Sequence, residues 1–383
     1  MRDLIKKILN ESVGVPSGIL ESSEELYKLI LEEIKSFDDE IEGYYGFELN
    51  TEFKISDLKI NKVIVNLTFE MVDDIKEVEY YSMAILQNAA FDNKIMKLKT
   101  IIVPGVIRLS INMAGPKNTT MKDIIDYFTN KRNLLISTLS HELGHAYNNY
   151  KQNLVPIKGI GSYMGITKTS FPFRPIQTFL FYMYYTHTIE NLVRPIEISS
   201  LMRTGDIDRE GFYDFITNNE TYQMLKKIGQ FSYEKMREDL KKHSDSIRKF
   251  LRYHPNIKNL NTDDQLVDEL LRVVYINLVN NTTEQINNIM TTGEQESLLG
   301  FVGKKEEKFL DLVDFFSKFE NNIEGFYKYE EKNMKRVSEK MLKRLSKLWS
   351  LVKSNPSSIR NWELHQKINK HGEKIETELK YKR

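Results

Sequence analysis

The sequence predicts an α+β protein, and three observations carry that expectation. Between residues 46 and 113, apolar and polar side chains alternate in several short stretches, the period of half-buried strands. A helical period takes over near Met121 and carries the pentapeptide His141-Glu142-Leu143-Gly144-His145. From Ile176 onward the chain reads as almost wholly helical. Three parts follow from this: an N-terminal helical segment over 1–45, a mixed α and β domain over 46–205, and a helical domain over 206–383.

In the first part, Leu26, Leu29, Ile30 and Ile34 make an apolar face with Glu24, Glu25, Glu32 and Glu33 outside it. In the second, Val63, Val65, Leu67 and Phe69 alternate with Ile64, Asn66, Thr68 and Glu70. Glu79–Met83 resembles another strand, and Ile107, Leu109, Ile111 and Met113 alternate with Arg108, Ser110 and Asn112. Short linkers between these stretches predict a small, mainly antiparallel sheet of three to five strands. Thr120 with Asp123 three residues on predicts a helix start, and the helix runs to about Tyr150 with a break near Asn130. Residues 151–175, rich in Gly and Pro, read as a long loop, and Phe179–Met202 as a further helix.

Composition narrows the function. The chain has 383 residues, 40% of them hydrophobic, enough to bury a sizeable core. Its 55 Lys+Arg nearly cancel its 54 Asp+Glu, so no global field argues for nucleic acid or a membrane. No apolar stretch approaches the ~20 residues that span a bilayer, and the N-terminus lacks the apolar run of a secretory signal. The expectation is a cytoplasmic protein. With no cysteine, a metal must sit on His, Asp or Glu.

His141 and His145, at i and i+4 on a helix, face the same way and suit one zinc ion. Glu142 then points at the open metal position, where it can take a proton from a zinc-bound water. A catalytic zinc needs a third protein ligand. Residues 146–189 contain no Asp or Glu, so the expected third ligand is Glu190, with Glu197 and His187 as alternatives. Glu190, Arg194 and Glu197 fall on one helical face.

The pentapeptide followed by Glu190 on a second helix resembles the gluzincin branch of the zincin metallopeptidases, over about residues 100–202. The resemblance implies a zincin-like domain, a small sheet plus an active-site helix, followed by the helical C-terminal region. It implies Zn2+ held by His141, His145 and Glu190, with Glu142 as general base, and a peptide or protein substrate. It also implies an antiparallel edge strand ahead of the active helix, for which Gly105–Met113 is the candidate. A zincin usually adds a Tyr or His at the oxyanion; Tyr163, Tyr182, Tyr184 and Tyr185 are the candidates, and nothing chooses among them. The chain departs from the metzincin pattern, having Asn148 and Lys151 where that branch has a glycine and a third histidine. After Glu190 comes Leu192-Val193-Arg194-Pro195 instead of a small residue and an acid, and the proline should kink the helix.

The rival expectation is a non-enzymatic structural or virion assembly protein that retains a zincin-like fold. The Lys/Ile/Asn/Tyr-rich composition resembles that of proteins from AT-rich bacteriophages. The helical C-terminal region would then be the surface for an assembly partner. Its basic stretch, Glu331–Arg383, has a Leu342, Leu345, Leu348 stripe and reads as a solvated amphipathic helix more than as a nucleic-acid surface.

Overall fold

The computed structural model describes residues 18–36, 48–55, 60–86, 89–92, 97–100, 106–152, 165–208, 211–255, 257–291 and 314–348. The chain is α+β. In order, it forms α1 (Ile19–Lys35), β1 (Glu48–Ile55), β2 (Ile60–Met71), β3 (Glu79–Leu86), β4 (Ala89–Asp92), β5 (Lys97–Thr100) and β6 (Val106–Gly115). The helices α2 (Met121–Asn130), α3 (Arg132–Gln152), α4 (Arg174–Tyr185) and α5 (Thr188–Thr204) follow. Beyond them lie α6 (Phe212–Asn218), α7 (Glu220–Gly229), α8 (Tyr233–Lys241), α9 (Ser244–Phe250), α10 (Asp263–Thr291) and α11 (Ile323–Ser346).

Four strands form one mixed sheet in the order β1-β2-β6-β3, and β4 pairs with β5 as a separate hairpin. The alternation of β2 sets its faces: Val63, Val65, Leu67 and Phe69 are fully buried, while Glu70 is exposed. β6 lies parallel to β2 with Val65 opposite Leu109 and Leu67 opposite Ile111, so the two apolar rows run side by side. β3 closes the other flank of β6, antiparallel to it.

This order corrects the expected edge strand. Gly105–Met113 falls mostly on β6, which is internal, and β1 and β3 are the edges. Short connections suggest that neighbours in sequence pair. Here β2 and β3 do not, because β6 returns across a long connection and inserts between them, and that return makes the central pair parallel.

The helical half follows its local signals. Thr120 Oγ1 accepts from Asp123 N at 3.3 Å and Thr120 N donates to Asp123 Oδ2 at 2.8 Å, the reciprocal cap that starts α2. The break near Asn130 separates α2 from α3. α1 buries Leu26, Ile30 and Ile34 against the core, packs on α3, and is tied to α5 by Arg203, which pairs with Glu21 and Glu24. The helix expected over Phe179–Met202 is two, α4 and α5, parted at Thr186 and His187. Pro195 lies inside α5 and does not end it. Of the long loop, 165–168 is a helical turn and Pro175 lies in the first turn of α4; residues 153–164, with Tyr163, lie outside the described residues. Buried side chains from Ile19 to Leu348 form one connected hydrophobic cluster. No helix among the described residues is long and apolar enough to cross a membrane.

Candidate metal centre

α3 and α5 are the two helices that build the site, and Gly144 sets how closely they approach. A Cβ on Gly144 would come within 2.9 Å of Ile196 Cδ1 and 3.1 Å of Val193 Cγ1. The missing side chain, between the two histidines of the pentapeptide, lets α5 lie against α3. One turn away, Ser140 Oγ donates to Ser200 Oγ at 2.9 Å and buries both hydroxyls at the same contact.

That approach brings the face of α5 that carries Glu190, Arg194 and Glu197 onto the histidines. Glu190 is fully buried, with one carboxylate oxygen 3.5 Å from His141 Nε2 and the other 3.6 Å from His145 Nε2. Glu197 Oε2 lies 3.0 Å from His141 Nδ1, the opposite side of the same ring. Arg194 bridges the two carboxylates, with Nη1 2.9 Å from Glu197 and Nη2 2.9 Å from Glu190. Its guanidinium in turn stands over the Tyr185 ring at 4.4 Å. Of the three residues weighed as third ligand, the structure brings both glutamates to His141. His187 sits in the break between α4 and α5, where its carbonyl accepts from Asn191 N at 3.0 Å.

The two histidine Nε2 atoms face each other at 3.1 Å, and His141, Glu142 and His145 offer donor atoms within 4.8 Å of one another. Two bare imidazole nitrogens so close repel, so the space between them takes a proton or a cation. Bonds of about 2.0–2.1 Å at tetrahedral angles hold two donors about 3.3 Å apart, close to the spacing here. The charges also fit a divalent ion: three carboxylates (Glu142, Glu190, Glu197) meet one guanidinium (Arg194) around two imidazoles. The donor set of two nitrogens and a carboxylate is one that zinc accepts.

The electrostatics follow from the same contacts. Burial works against charge on His141, but the hydrogen bonds of Glu190 and Glu197 outweigh it and push its pKa up to about 9. Burial opposes ionisation of Glu190 too, yet His141, His145 and Arg194 hold its carboxyl well below the usual range. Glu197 is held down in the same way by His141 and Arg194.

Tyr80 was not singled out by the sequence. It lies on the edge strand β3, beside a register shift between Tyr80 and Ser82, and its N–H donates to the Tyr127 hydroxyl at 3.2 Å. Its own hydroxyl is hydrogen-bonded by Thr138, one helical turn before Glu142. Burial, with the charges of Glu142 and Glu197 added, pushes this phenol up to about 12. The tyrosines that the sequence did point to are in other places. Tyr185 lies under Arg194, Tyr182 packs edge-on against Phe231 at 5.9 Å, and Tyr184 stacks on Phe181.

No protein-family model, curated protein or solved structure matches the chain.

Proposed function

We propose that the chain is a zinc-dependent metallopeptidase with a zincin-like, gluzincin-type domain. His141, His145 and Glu190 hold Zn2+, and Glu142 is the general base. The observation that supports this reading is the convergence of Glu190 on both Nε2 atoms while Glu197 occupies the far side of the His141 ring. A carboxylate on Nδ1 fixes the tautomer that leaves Nε2 free for a metal. Bound zinc would supply a Lewis acid that polarises the scissile carbonyl and lowers the pKa of water toward about 7.

The chain's own groups do the rest. Glu142, on the turn between the histidines, takes a proton from the attacking water and passes it to the leaving amine. Glu197 and Arg194 hold His141 and Glu190 in register. β3, the end strand that packs on α3, offers a backbone row for an extended peptide.

The test begins with metal content, by elemental analysis of protein purified without chelator or a metal-binding tag. The expected result is about one zinc per chain, lost in His145→Ala. Glu142→Gln should keep the zinc and lose peptide hydrolysis by about 10²–10⁴-fold, the usual contribution of a general base. Zinc that binds without any hydrolysis in the wild type would move the reading to a structural or assembly protein. No zinc, even after its addition, would end the metal-centre reading.

A further inference from the structure

α5 is continuous through Pro195, and the proline leaves a gap in its hydrogen bonding. Residue 195 has no N–H, so the carbonyl four residues earlier, that of Asn191, loses its helical partner. Asn191 adjoins Glu190. An orphaned carbonyl beside the most buried carboxylate of the site would loosen the turn that carries it.

The partner comes from far along the chain. Arg344 on α11 donates from Nη1 to the Asn191 carbonyl oxygen at 3.2 Å. The Asn191 side chain spans the other side of the same turn, donating from Nδ2 to the Thr186 carbonyl at 2.6 Å across the break between α4 and α5. α11 packs against both α4 and α5, so its guanidinium is delivered by a folded element. Arg344 belongs to the basic stretch that the sequence suggested was a solvated face, yet it is half-buried here, and burial holds its pKa below the ordinary value.

We infer that Arg344 is a positioning residue for the proposed metal centre: it caps the Asn191 carbonyl orphaned by Pro195 and so fixes the turn that presents Glu190 to His141 and His145. The inference rests on the reading of that centre. Its consequence is that α11 is part of the centre's support.

Three variants of the full chain test it: Arg344→Met, Arg344→Lys, and Arg344→Met combined with Pro195→Ala. The readouts are zinc affinity, by competition with a chromophoric chelator, and amide hydrogen exchange over residues 190–196. Arg344→Met should weaken zinc by about tenfold, the low end of the loss seen when a group supporting a ligand is removed, and speed exchange in α5. Arg344→Lys, which keeps a charged donor, should recover part of both.

Pro195→Ala restores the N–H that the Asn191 carbonyl lacks. In the double variant it should therefore return affinity and exchange toward wild type. A merely structural role for Arg344 would not respond to that second change. Unchanged zinc affinity in Arg344→Met, with zinc bound normally by the wild type, would overturn the positioning role alone. So would a loss that Pro195→Ala leaves uncorrected. A wild type without zinc would instead sink the metal centre itself, and the positioning role with it.

Discussion

Glu197 Oε2 lies 3.0 Å from His141 Nδ1, so the ring is held from behind while its Nε2 faces His145 and Glu190. Sequence spacing makes Glu197 an alternative ligand; its place on Nδ1 suits it instead to orient His141, a ligand in the proposed centre. Glu197→Gln keeps the side chain's length and removes its charge. Zinc affinity should fall by about tenfold, the usual cost of losing such a partner, while Glu197→Ala should cost more. Chelator competition on the purified variants checks both. Affinity equal to wild type in Glu197→Ala would mean that the carboxylate does not orient the ring.

Arg194 ties Glu190 to Glu197 and is itself largely buried. Removing one member of a buried ion network strands the charges that remain, at a cost of about 3–5 kcal/mol. Arg194→Met should therefore lower the unfolding free energy by roughly that amount. Added zinc should recover part of the loss, because a divalent ion at the site neutralises the same carboxylates. Urea unfolding with and without zinc measures the two terms. A variant whose stability ignores zinc would argue against an ion at this site.

Gly144→Ala sets two effects against each other. Alanine is favoured over glycine inside a helix by about 1 kcal/mol. Its Cβ would meet Ile196 Cδ1 at 2.9 Å and Val193 Cγ1 at 3.1 Å, and overpacking of this kind costs about 1–3 kcal/mol. Ile196 can swing its terminal methyl aside, but a β-branched Val193 has little freedom on a helix. The expected outcome is that α5 shifts outward, so zinc affinity drops even where thermal stability barely changes. An affinity at or above wild type would show that the helices have room to spare.

The pentapeptide and Glu190 were legible because their signals are local or elementary. An i, i+4 pair declares its shared face through helical pitch alone, and the absence of acids over residues 146–189 left Glu190 as the next carboxylate. Thr120 with Asp123 was read for the same reason. The edge strand was not. Strand order depends on pairings across long connections, and the alternation of β6 is equally compatible with an inner and an outer place. The break at Thr186 and His187 carries no Gly or Pro, whereas Pro195 sits inside a continuous helix, where Arg344 donates to the carbonyl that it orphans. Tyr80 gave no sign at all, since its place beside Glu142 comes from the packing of β3 on α3.

Glu330 gives a pH signature away from the metal centre. It is a buried carboxyl on α11, where burial pushes its pKa from the ordinary 4.5 up to about 7, opposed among the described residues by a hydrogen bond from Asn333 Nδ2 at 3.3 Å. A folded-state value above the unfolded one means that the protonated acid is the stabilising form. That contribution is complete below about pH 4.5 and is lost as the pH rises through about 7. A rise from 4.5 to about 7 corresponds to about 3 kcal/mol over that window. Glu330→Gln holds a neutral side chain of the same shape at every pH. The variant should match wild type near pH 5 and be more stable at pH 8, by an amount of that order. Urea midpoints at pH 5, 6, 7 and 8 decide it: two curves that stay parallel across the range would show that Glu330 is already ionised in the folded protein at neutral pH.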